Sequence, residues 1–141
     1  MDLGIQGRKA IVCAASKGLG KGCAMALAGE SVDLVINART KSELDATAEE
    51  IRKKYGVKVT AVAVDVTTED GRKQVLAACP EPDIIVNNAG IHARAPLESM
   101  SREAWQSVLE VNLTSAFLVS RTIAPGMIRK RDRLAAAFSV V

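Results

Sequence analysis

Histidine and clustered cysteine are what these 141 residues have least of. His92 is the only histidine, and Cys13, Cys23 and Cys79 are scattered among apolar neighbours with no Cys-x-x-Cys. A zinc or iron–sulfur site needs such ligands gathered at short spacing. No metal centre is therefore expected. An odd number of unclustered cysteines also argues against a disulfide framework, and buried, reduced thiols in a cytoplasmic protein are the expectation. No apolar run approaches the roughly eighteen residues of a membrane span. The segment from Met1 to Lys9 holds no apolar h-region, so no secretory signal is read there. Net charge is +3, too small to point to nucleic acid.

What is present suits one soluble domain over residues 1–141. Apolar residues make up 48% and charged residues 25%, ordinary values for a globular chain. A compact chain of this length buries roughly two-thirds of its unfolded surface. No repeat, linker or low-complexity tract interrupts it.

Apolar runs alternate with helical patterns. Ala10-Ile11-Val12, Asp33–Asn37, Val57–Val64 and Asp83–Asn87 read as strands. Between them, Cys23–Ala28 reads as a helix. Thr40-Lys41-Ser42-Glu43 has the form of a capping box. Leu44, Ala48, Ile51 and Tyr55 continue from it as the stripe of a helix that Gly56 ends. Thr67 is read as the cap of a short helix carrying Val75, Leu76 and Cys79, closed by Pro80 and Pro82. Strands apolar throughout, each followed by a helix, predict a parallel sheet covered on both faces. That is the doubly wound α/β plan, with ligand at the carboxyl ends of the strands.

The first strand passes through Cys13-Ala14-Ala15-Ser16-Lys17-Gly18-Leu19-Gly20 into a helix. Such a turn gathers free backbone N–H groups and the positive end of a helix dipole, a place where phosphate binds. Glycines there let a ligand approach the backbone. The alternative is a glycine turn that only lets strand and helix pack closely. Where a dinucleotide fold holds an acidic residue for the ribose 2′-OH, the second strand ends Asn37-Ala38-Arg39-Thr40. Arg39 is a planar, permanently charged fork suited to phosphate, and Lys17 adds a second cation. Both fit a 2′-phosphate, hence NADP rather than NAD, or else are two solvated surface charges. Further on, Trp105, Leu109, Asn112, Ala116, Val119 and Ile123 fall at steps of four and three. Asn112 thus stands in an apolar stripe, where an unpaired amide costs ~1–3 kcal/mol. A backbone carbonyl satisfies it, or it holds an ordered water in a proton path.

Together these segments resemble the N-terminal half of a short-chain dehydrogenase/reductase. That family opens with Thr-Gly-x-x-x-Gly-x-Gly, which Cys13 to Gly20 occupies here. Asp65-Val66, Asn87-Asn88-Ala89-Gly90 and Val111-Asn112-Leu113 match its next three motifs. The closest flavour is the 3-oxoacyl-carrier-protein reductase and sugar-acid dehydrogenase group. The resemblance implies a Rossmann-type doubly wound sheet, truncated after the fifth strand, and hydride transfer between NADP and a carbonyl or alcohol substrate. It implies that Ser16, Lys17, Gly18, Leu19 and Gly20 bind phosphates and that Asp65 and Val66 contact adenine. It places Asn88 and Gly90 on the nicotinamide side. Asn112 and Ser139 belong to its catalytic set, Asn112 supporting a water relay and Ser139 orienting the carbonyl oxygen. It further implies a homo-oligomer. The helix from Ser101 to Arg129 would build subunit contacts, with Val108, Val111, Leu113, Phe117, Leu118 and Met127 lying outside its main stripe.

Two departures stand out. Cys13-Ala14 replaces Thr-Gly, and an alanine pays a conformational penalty if position 14 needs positive φ. No Tyr-x-x-x-Lys, the family's proton donor and its partner, occurs in the 141 residues, and the only tyrosine is Tyr55. The chain is therefore read as the cofactor-binding half of the family's enzymes, a fragment, a truncated reading frame or one part of a larger assembly. The alternatives are a non-catalytic nucleotide-binding or interaction module, and a methyl-transfer domain that Asn87-Asn88-Ala89-Gly90 disfavours.

Overall fold

The computed structural model describes residues 2–130 and 136–139. Five strands form one parallel sheet: β1 (Lys9–Val12), β2 (Asp33–Ala38), β3 (Val59–Ala63), β4 (Ile84–Asn87) and β5 (Ala136–Ser139), in the order β3-β2-β1-β4-β5. All neighbouring strands pair in parallel, with Val12 beside Ile36 and Val86, and Asn87 beside Ser139. The expected doubly wound fold is what the chain adopts. Strand order reverses between β1 and β4, and the carboxyl ends of those two strands open the crevice in which such sheets bind ligands.

Alternation along β1 divides the core. Ala10 and Val12 face one layer, with Ala24, Ala28, Leu44, Ala48 and Ile51 from helices α1 (Gly18–Gly29) and α2 (Lys41–Tyr55). Ile11 and Cys13 face the other, with Val75, Val119, Ile123 and Met127 from α3 (Glu69–Ala78) and α5 (Ser115–Arg129). Fully burying each such Val, Leu or Ile stabilises by about 1.5–3 kcal/mol. A buried carboxylate ties the layers at the amino ends of the strands. Asp83 accepts from the Lys9 backbone N–H (2.8 Å), Lys130 Nζ (2.6 Å) and Arg8 Nη1 (3.4 Å).

Several helix boundaries differ from the sequence reading. Thr68, not Thr67, caps α3, its Oγ1 accepting from Gly71 N at 3.0 Å. The reason is local: the Thr67 hydroxyl is already donating to Asp65 Oδ1 at 2.7 Å. Thr40 occupies the N-cap of α2, but its side chain makes no capping bond. The Glu43 carboxylate points instead toward Lys17 Nζ, 3.8 Å away, so the capping box is not formed. Gly56 ends α2 as expected, at φ 70°. Cys13 and Cys79 are buried, whereas Cys23 is only partly so.

The long helix is also not uniform. α4 (Arg102–Leu109) runs into a π turn, Glu110–Thr114, before α5 begins. A π turn inserts one residue and rotates the upstream helix relative to the downstream one. Val119 and Ile123 are accordingly buried, while Trp105 and Leu109, expected in the same stripe, are 54% and 40% exposed. Met127, expected outside the stripe, is buried. Leu113 and Phe117 do face outward, joined by Ile128. No helix of the described residues is long and apolar enough to cross a membrane.

Candidate active site

The glycine turn is held in a strained shape from several sides. Ala14 adopts φ 53°, the left-handed region. For a residue with a Cβ this costs roughly 1–2 kcal/mol, so the penalty foreseen for alanine is present. The strain persists because neighbours fix the chain on either side of it. Cys13 N donates to Val86 O (3.0 Å) and Ala15 N to Asn37 O (2.8 Å). Asn88 Nδ2 donates to the carbonyls of Cys13 (3.3 Å) and Ala14 (3.2 Å). The Cys13 thiol packs in the core on the α3–α5 side of the sheet, and burial pushes its pKa up to about 12. It is an inert filler rather than a nucleophile.

Beyond the turn, α1 starts at Gly18 with no side chain capping its amino end. The N–H groups of its first turn are the ones an α-helix leaves without internal partners. A Cβ built on Gly18 or Gly22 would meet nothing within 4 Å, so the space over the helix start is open. Gly20 is the opposite case. Its Cβ would collide with the Ala14 carbonyl oxygen and come within 2.5 Å of Asn88 Nδ2. Gly20 is needed for the close crossing of helix, turn and the Asn88 side chain.

The structure brings most of the candidate residues together. Ser16, Lys17, Arg39, Asp65, Val66 and Gly90 border one cleft of about 390 Å³ at the carboxyl ends of the strands. Leu19, Asn88, Gly90, His92 and Asn112 border an adjoining hollow of about 330 Å³. The two share Ala89, Gly90 and Ile91, so they adjoin along one groove edge at the β1–β4 switch point. A separate hollow of about 430 Å³, at the amino ends of the strands, holds none of these residues. Backbone pairing puts Ser139 opposite Asn87 at the carboxyl end of β5, on the side of the groove.

Asn112 sits in the π turn and exchanges two hydrogen bonds with one residue. Its Nδ2 donates to Ile91 O (2.8 Å), and its Oδ1 accepts from Ile91 N (2.7 Å). The half-buried amide is thus satisfied by backbone, and it fixes the segment just past Gly90. Asp65 is held at the end of the third strand by Thr67. The Thr67 hydroxyl and backbone N–H both donate to its Oδ1, and the Arg39 guanidinium lies near. The hydroxyl bond is the largest influence holding the Asp65 pKa below its ordinary value, against a smaller upward push from burial. Among the described residues no three His, Cys, Asp or Glu side chains gather as a metal site would require.

Comparison with known proteins agrees with this geometry. The family model described as short chain dehydrogenase matches residues 8–136. The chain belongs to the short-chain dehydrogenase family. It is 35% identical over 141 residues to gluconate 5-dehydrogenase of Gluconobacter oxydans (strain 621H), covering 96% of this chain and 55% of that protein. Identity is 34% over 135 residues to the 3-oxoacyl-[acyl-carrier-protein] reductase FabG of Aquifex aeolicus (strain VF5), covering 93% and 54%. L-sorbose reductase from Gluconobacter frateurii, complexed with NADPH and L-sorbose, superposes with a TM-score of 0.87 at 34% identity, covering 92% of this chain and 51% of that one. The chain spans about half the length of the relatives it matches.

Within this short-chain dehydrogenase scaffold, three groups at the groove escaped the sequence reading. Thr47 Oγ1 donates to Ser16 O at 2.8 Å and pins the glycine turn to α2. Its signal was a polar residue three past Leu44, inside the helix stripe. Asn37 Nδ2 donates to Val62 O (2.9 Å) and Val64 O (2.8 Å), holding the end of β3 beside the groove. A polar residue closing an apolar strand was visible but had no assignable partner. Glu43 lines the cleft with Lys17 and Arg39, a position hidden behind its apparent role in a capping box.

Proposed function

We propose that this chain is the cofactor-binding half of an NADP-dependent oxidoreductase, acting in the cytoplasm on a small carbonyl or alcohol substrate. The observation that carries the reading is the convergence of the uncapped α1 start, Arg39, Asp65-Val66 and Asn88-to-Gly90 on one groove. The residues fit a pyrophosphate-bearing ligand: open space over Gly18, first-turn N–H groups without caps, and two cations at the mouth. When bound, a nicotinamide dinucleotide supplies the hydride acceptor or donor. The backbone of Ser16 to Gly20 then holds its phosphates, the Arg39 and Lys17 side chains hold its 2′-phosphate, and Asp65 and Val66 border its adenine. Asn88 and Gly90 flank the nicotinamide side. Asn112 acts through Ile91, holding the wall of the groove in place, and offers a site for a proton-relaying water. By the resemblance, Ser139 would orient the substrate oxygen. The NADPH and L-sorbose named with the sorbose reductase structure support this class of cofactor and substrate.

Changing Arg39→Asp tests the cofactor assignment. It removes a phosphate partner and supplies a ribose acceptor. NADPH binding, followed by fluorescence, weakens by at least tenfold, and NADH binding improves. Equal NADPH affinity in mutant and parent would sink the assignment.

A second reading is a nucleotide-binding module without catalysis. Cofactor binding without turnover distinguishes it. Self-association belongs to the leading reading, because Leu113, Phe117 and Ile128 are exposed large apolar side chains along one continuous helical run. Light scattering at tens of micromolar is expected to give species above 14.9 kDa. A monodisperse monomer contradicts it.

A further inference from the structure

The cations proposed to receive a 2′-phosphate are each faced by a carboxylate. Lys17 Nζ lies 3.8 Å from Glu43 Oε1, and Arg39 lies in the field of Asp65. All four side chains border the same cleft, so its formal charges sum to zero. The two carboxylates are not equivalent. Asp65 is fixed by both donors of Thr67, at 2.7 and 2.9 Å, as part of the turn into α3. Among the described residues Glu43 has only the long pair to Lys17, and both of those side chains are well exposed, at 46% and 80%. It is also released from capping, since Thr40 and Glu43 do not form the box their sequence suggests. A phosphate dianion entering beside Lys17 and Arg39 meets this exposed negative charge on the first turn of α2.

We propose that Glu43 is a specificity-determining residue, a removable counter-charge that weakens selection for a 2′-phosphorylated nucleotide. The inference rests on the groove being a dinucleotide site. In the free protein Glu43 neutralises Lys17. On binding, the phosphate takes Lys17 and the carboxylate swings to solvent. A nucleotide with a free 2′-OH does not force that exchange. Glu43 therefore taxes NADP and leaves NAD untouched. At separations of several ångströms near a protein surface, one unit charge alters the affinity of a neighbouring phosphate by about fivefold or more. Salt reduces the effect, because the pair is open to solvent.

The test uses the whole chain and two small probes, 2′,5′-ADP and 5′-ADP, titrated by calorimetry with the parent, Glu43→Gln and Glu43→Lys. Glu43→Gln is expected to bind 2′,5′-ADP about fivefold more tightly, with Glu43→Lys tighter still. Affinity for 5′-ADP stays level, and raising the salt to about 1 M shrinks the difference between variants. Unchanged or weaker 2′,5′-ADP binding in Glu43→Gln overturns the proposal, as does an equal gain for both probes. The cofactor reading fails separately. If the parent binds the two probes equally but Glu43→Gln gains only for 2′,5′-ADP, Glu43 is supported and NADP selection by the parent is lost. If no variant binds either probe, both fall.

Discussion

Gly20→Ala destabilises the chain by about 3 kcal/mol, the upper part of the range for forcing atoms into a packed site, and weakens nucleotide binding with it. The added methyl collides with the Ala14 carbonyl oxygen and crowds Asn88 Nδ2. Neither can step aside cheaply. Ala14 is already held at φ 53°, and its carbonyl is one of the two that Asn88 grips. Moving Asn88 breaks both of its bonds to the turn and leaves a half-buried amide short of partners. Moving α1 instead opens its contacts with β1 through Ala24 and Ala28, which are fully or almost fully buried. Gly22→Ala is the matched control. It lies two residues along the same helix, is exposed, and has no atom within 4 Å of the new methyl. That change is expected to stabilise by up to about 1 kcal/mol through helix propensity alone. Urea unfolding of the three proteins reads the difference directly. Equal midpoints for Gly20→Ala and the parent would show that the turn is looser than its hydrogen bonds imply.

The same turn marks where the sequence was legible. Strands apolar on both sides have one home, the middle of a covered parallel sheet, so β1, β2 and β4 could be read from composition alone. Asp65, Asn88 and Gly90 come directly after strands, and a parallel sheet delivers the ends of its strands to one edge. Their meeting was therefore implied by the fold. What could not be read were choices between partners of similar local merit. Thr67 and Thr68 are both plausible caps, and only the prior claim of Asp65 on Thr67 decides between them. Glu43 had a local partner in Thr40 and a distant one in Lys17, and the distant one prevailed. The helix from Ser101 onward kept its period in sequence while a π turn changed its phase in space. An inserted residue in a helix leaves no signature when every neighbouring position tolerates it. Here the two hydrogen bonds between Asn112 and Ile91 occupy that turn, a contact between residues 21 apart that periodicity cannot report.

Purified as these 141 residues, the protein is expected to oxidise NADPH at no more than background rate across a panel of ketones and 3-oxoacyl esters. Hydride addition to a ketone creates alkoxide charge that has to be protonated as it forms. A positioned general acid is typically worth ~10²–10⁴ in rate. The sequence holds no Tyr-x-x-x-Lys, and Tyr55 cannot substitute. It ends α2 and packs with the cluster on the α1–α2 side of the sheet, whereas Asn112 stands in the helix on the other side. The Asn112 amide is engaged at both ends with Ile91 and has no proton to give near neutral pH. Of the side chains bordering the hollow beside Asn112, the exposed His92 is the one imidazole. No described residue fixes its orientation in the manner that Asp65 and Asn88 are fixed. Orientation of the substrate can be worth at least as much as the acid. Binding of NADPH without its consumption is therefore the expected pair of observations. Robust turnover would overturn this expectation, and its loss in His92→Ala or in Ser139→Ala would identify the group that supplies the proton or holds the oxygen.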